Sequence, residues 1–99
     1  MAEDRDRNYV MLAEAALNAL FDQYASANPA DKWNLKPAIT KAAEELLKAR
    51  LALFKEGVLT TPDDIERLKA LKSEIDNAAD AQAAILSAIK LAAMLGVFA

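Results

Sequence analysis

The chain has no cysteine and no histidine among its 99 residues, and only two glycines and three prolines. Without cysteine there is no disulfide framework and no thiolate metal site. Without histidine there is no imidazole acid–base catalysis, and the glutamate–histidine pairs of di-iron bundles are excluded. Average chains carry about 7% glycine and about 5% proline, so few turns are available, and an all-β domain rich in tight turns is excluded. Aromatic residues are sparse at 6%. A glycine-rich phosphate loop, a nucleophile elbow and an HExxH motif are all missing. No catalytic, cofactor-binding or metal-ligating residue is assigned, and the chain is expected not to be an enzyme.

What remains is an alanine-rich chain that is 55% hydrophobic, with 15 acidic and 12 basic residues and a net charge of −3. This length predicts one domain over residues 1–99. The acidic balance argues against nucleic acid as a partner, because duplex binding rests on neutralising phosphates. The charged opening MAEDRDRN lacks the apolar core of a signal peptide behind it, and an intracellular, cytoplasmic setting is expected.

Hydrophobic periodicity predicts an antiparallel all-α bundle of three helices, over about 7–27, 36–56 and 62–95. In the first, Tyr9, Ala13, Ala16, Leu17, Leu20 and Tyr24 share one side, opposite Glu14, Asn18 and Asp22. Asp4, Asp6 and Asn8 are candidate N-caps, and Asn28-Pro29 ends the helix. Residues 30–36 read as a connection in which Trp33 lids the core.

The second helix presents Ile39, Ala43, Leu46, Leu47, Leu53 and Phe54 to the core, with Gly57 as a left-handed C-terminal stop. Arg50 falls within that apolar arc. It is expected to pair with a carboxylate such as Glu14 or Glu74, or alternatively to contact an anion in a pocket together with nearby lysines, as a small helical enzyme or anion-binding module would. Thr61, Pro62, Asp63 and Asp64 form a helix start: cap, N1 proline, and two acids at the positive end of the helix dipole. The short connection before it makes the second and third helices antiparallel neighbours.

From Pro62 to Gly96 no glycine or proline intervenes. Leu68, Leu71, Ile75, Ala78, Ala79, Gln82, Leu86, Ile89 and Ala93 trace one stripe, which predicts a single helix of about 34 residues, roughly 50 Å long. The alternative is a break near residues 76–81, with Asp76, Asn77 or Asp80 capping a fourth helix.

Residues 81–99 read AQAAILSAIKLAAMLGVFA and are apolar on two sides, with Ile85, Leu86 and Ile89 on one arc and Leu91, Leu95 and Phe98 on another. The segment is too short for a membrane span and carries Lys90. Its second apolar side calls for a partner, since burying one leucine-sized side chain is worth about 1.5–3 kcal/mol. With the third helix continuous, a homodimer through this segment is expected, with Gln82, Ile85, Leu86, Ile89, Ala93, Leu95 and Phe98 as interface candidates and Gln82 setting register; with a break near Asp76–Asp80, the segment instead folds back into a monomeric four-helix bundle. A further possibility is an acidic regulator, using the acids of residues 63–80 against a basic protein.

LKALKSEIDNAADAQAAILSAIK, residues 68–90, resembles the opening helix of the helical chorismate mutases, with Leu68, Leu71, Ile75 and Asp76 in similar relation. That family closes an all-α dimer around a dianion with arginines and lysines. Here the segment stands at the other end of the chain, Lys72 and Lys90 stand where arginines would, and Ala79 replaces an aspartate. The resemblance spans less than a quarter of the chain, and no family is assigned from it.

Overall fold

A computed structural model describes residues 2–56 and 60–98, without the side chains of residues 2–4 and 56. Four helices account for nearly all of it: α1 (Ala2–Ser26), α2 (Pro29–Glu56), α3 (Pro62–Asp76) and α4 (Ala81–Gly96). No strand occurs among the described residues. The all-α bundle is as expected, and of the two arrangements weighed, the four-helix form is the one observed.

The local signals explain the boundaries. At Thr61 a complete capping box forms: the Asp64 N–H donates to the Thr61 hydroxyl, and the Thr61 N–H donates to the Asp64 carboxylate at 2.8 Å. Asn28-Pro29 does double duty. It stops α1, and it starts α2 at once, with the Asp31 N–H donating to Asn28 Oδ1 at 2.9 Å. Residues 30–36 are therefore helical and not a connection. Pro37 lies inside α2, where it has no N–H to donate to the Trp33 carbonyl. Trp33 is 82% exposed and lids nothing. At the other terminus α1 begins at Ala2, so none of Asp4, Asp6 and Asn8 caps it. Gly57 lies outside the described residues.

The predicted 34-residue helix is interrupted at residues 77–80. Asn77 closes α3, its N–H donating to the Ser73 carbonyl at 3.0 Å. Asp80 is extended (φ −149°, ψ 174°), and its carboxylate accepts from the Ala83 N–H at 2.8 Å, opening α4. The break lets the chain reverse, so that Ala84, Ala88, Leu91, Ala92 and Leu95 enter the core. A straight helix would have carried those residues past the ends of α1 and α2. The break also removes the continuous helix on which the likeness to the chorismate mutases rests.

The direction of each helix follows from its contacts. Arg5 and Asp6 hold Thr60 at one end of the bundle, and Gln23 donates to the Ile75 carbonyl (3.3 Å) at the other, so α1 and α3 run parallel. The Lys90–Glu74 ion pair (3.2 Å) places α4 antiparallel to α3. Glu45 lies beside Gly96, and Ala38 shares a groove with Ile89, so α2 and α4 run parallel. Around the bundle the order is α1, α2, α4, α3, with α1 touching α4 across the middle.

α2 and α3 do not touch among the described residues, which corrects the expectation that they are neighbours. Small core residues explain this. Ala42 and Ala49 of α2, with Ala84 and Ala88 of α4, are fully buried, and they let α4 settle closely beside α2, where α3 would have stood.

The core is otherwise built as the pattern implies. Tyr9, Ala13, Ala16, Leu17 and Leu20 are buried on α1, and Leu68, Leu71 and Ile75 on α3. The longest dimension of the molecule, 43 Å, matches the 28 residues of α2 at about 1.5 Å each.

Candidate protein-contact site

Once α4 folds back, its two apolar sides part company. One side is core. The other points outward, carrying Leu86 (52% exposed), Ile89 (54%), Ala93 and Val97 (78%), with Gln82 exposed at its head. Their spacings of four, three, four and four residues keep them on one face of the helix. Of the seven residues expected at an interface, Gln82, Leu86, Ile89 and Ala93 share this face, and Ile85 sits half-buried at its edge. Leu95 is fully buried in the chain's own core. Phe98 is half-buried, its ring edge-on to Tyr9 with centroids 5.2 Å apart. Those two are occupied within the chain.

Shallow grooves of about 380 and 410 Å³ flank the outer face of α4. The first, against α2, is lined by Ala38, Lys41, Glu45, Ile89, Ala93 and Gly96. The second, against α3, includes Arg67, Ala70, Glu74, Lys90 and Met94. Charges on both rims are matched within the chain: Lys41 to Glu45 at 3.0 Å, and Lys90 to Glu74 at 3.2 Å. The hydrogen bond from Lys41, despite some opposing desolvation, holds the Glu45 carboxyl below its ordinary range and raises Lys41 in turn. The rims are polar and near neutral, and the centre is apolar.

A second exposed stripe was not legible as such. Leu47 (61%), Leu51 (66%) and Phe54 (62%) lie together on the outer side of α2. Leu47 and Phe54 were expected in the core, and the structure corrects both. The core side of α2 is instead Leu35, Ile39, Ala42, Leu46, Ala49 and Leu53, alternating by four and three. That repeat is the signal that would have separated the stripes, but it begins at Leu35, inside the segment read as a connection.

The charged candidates resolve simply. Arg50 pairs with Glu14 at 3.3 Å, both about half exposed, and lines none of the grooves described here. The acids of α3 are mostly matched by bases: Asp63 by Arg67, Glu66 by Lys69 and Asp76 by Lys72. Asp80 serves as a helix cap. Among the described residues, no group of three or more acidic side chains is arranged to hold a metal ion. None of the helices described is long and apolar enough to cross a membrane. Comparison with known protein families, with characterised proteins and with solved structures gives no match.

Proposed function

We propose that this chain acts by protein–protein contact, without catalysis, in an intracellular setting, and that it self-associates as a homodimer through the outer face of α4. One observation carries the reading: Leu86, Ile89, Ala93 and Val97 form an outward apolar row on a helix whose opposite side is already core. Rows of this kind are a common surface for pairing one helix with another. The test is sedimentation equilibrium of the chain beside a Leu86→Glu, Ile89→Glu variant. Both side chains are half exposed, so the variant keeps its fold. The parent is expected to sediment at twice the 10.7 kDa chain mass and the variant at the chain mass. A parent that stays monomeric at millimolar concentration sinks the reading.

A second reading has its own observation. The α2 stripe of Leu47, Leu51 and Phe54 is separate from the α4 face and suits a different protein partner. An anion-binding role for Arg50 is less favoured, because Glu14 already neutralises it. An acidic-regulator role is weakened by the matched charges of α3.

A further inference from the structure

We propose that the hairpin of α1 and α2 holds a binding site for a small aromatic monocarboxylate of benzoate size, separate from the apolar faces described above. A cavity of about 150 Å³ opens between the last turns of α1 and the early turns of α2, lined by Phe21, Tyr24, Lys36, Ile39 and Thr40. Phe21 and Tyr24 stand three apart on α1. Lys36, Ile39 and Thr40 stand three and four apart on α2, so each set shares one face of its helix. Asn28-Pro29 turns the chain and brings the two faces together.

The cavity is apolar inside and cationic at its rim. Ile39 is 2% exposed and lies innermost. Phe21 is 47% exposed, so its ring offers apolar surface that a bound ring would cover. An apolar cavity of about 150 Å³ is large enough for one benzene ring, which sets the ligand at a single ring.

Charge sets the rest of it. Lys36 and Thr40 are exposed, and neither side chain has an ion-pair or hydrogen-bond partner among the described residues. Lys32 stands nearby, its ammonium 5.7 Å from the centre of the Tyr24 ring, and it too meets no carboxylate among the described residues. Asp22 and Asp31 belong to the same hairpin, yet neither pairs with either lysine. Elsewhere the cations are matched: Lys41 and Lys48 meet Glu45, Arg50 meets Glu14, and Lys90 meets Glu74. An unmatched ammonium and a free hydroxyl beside an apolar cavity suit a ligand with one ring and one negative charge. The ring lies against Phe21 and Ile39, and its carboxylate accepts from the Lys36 ammonium and the Thr40 hydroxyl.

The test is a titration of the full chain with benzoate, followed by amide NMR, beside benzylamine, which has the same ring and the opposite charge. Benzoate is expected to shift the amides around residues 21–24 and 36–40 saturably, in the millimolar range, and benzylamine to bind at least threefold more weakly. Lys36→Gln, at an exposed position, is expected to weaken benzoate by about two- to fivefold, the worth of a surface ion pair. Thr40→Trp, also exposed, fills the mouth and is expected to abolish the saturable shifts. Three results would overturn the proposal: no saturable shift with benzoate up to tens of millimolar, benzylamine binding as tightly as benzoate, or a Lys36→Gln chain that binds benzoate unchanged.

Discussion

The buried carboxylate of Asp6 accepts hydrogen bonds from both the N–H and the hydroxyl of Thr60, while Arg5 donates to the Thr60 carbonyl at 3.3 Å. Three polar groups at the start of α3 are thereby tied to the first turns of α1. Asp6→Ala removes the acceptor and leaves the Thr60 donors buried without it. The expected loss is about 1–3 kcal/mol in urea unfolding, and Asp6→Asn, which keeps an acceptor oxygen, loses less. Tyr9 offers a pH test. Burial, helped by the negative charge of Asp64 and opposed by Arg67, pushes its hydroxyl up to about 12. A raised pKa favours the fold while the proton is retained. Its contribution is complete below pH 10 and is lost as pH rises toward 12. The melting temperature should fall over that window, and Tyr9→Phe should flatten the fall.

At the scale of the helices, the start of α3 and the break before α4 depend on single side chains. Asp80→Ala removes the cap of α4 and should cost about 1 kcal/mol, measured by thermal unfolding. Pro37→Ala works the other way. It restores a donor for the Trp33 carbonyl and a better helix former, worth about 3 kcal/mol in a helix interior, less about 1 kcal/mol for a freer unfolded chain. A net gain of about 2 kcal/mol is expected, seen as a higher urea midpoint.

The same elements show what the sequence can and cannot declare. The core face of α1 was legible because Tyr9, Ala13, Ala16, Leu17 and Leu20 keep the helical period without competition. Thr61 to Asp64 was legible because cap, proline and acids agree. The break at residues 77–80 was visible only as an alternative. Alanine favours helix locally, and the stripe from Leu68 to Ala93 stays in phase across the gap. The burial of Ala84, Ala88, Leu91 and Leu95 against α1 and α2 decided the outcome, and that gain is tertiary. Asn28-Pro29 misled for a related reason: one dipeptide ends a helix and begins another, and only packing of Leu35 and Ile39 reveals the second role.

At the scale of the molecule, the described residues close one core and leave apolar rows on α2 and on α4 outside it. The sequence marked Leu86, Ile89 and Ala93 as apolar and outward but grouped them with Leu95 and Phe98, which the chain itself takes up, and did not single out Val97; the α2 row was not readable, because its inner and outer leucines are sequence neighbours. The central claim is that the outer face of α4 is a contact surface between copies. Methyl NMR of Leu86, Ile89 and Val97 across a concentration series tests it most directly. The account predicts shifts that move with concentration for these residues and for Ala93, while the core methyls of Leu20 and Leu53 stay fixed. Shifts on α4 that hold constant from micromolar to millimolar chain would contradict it.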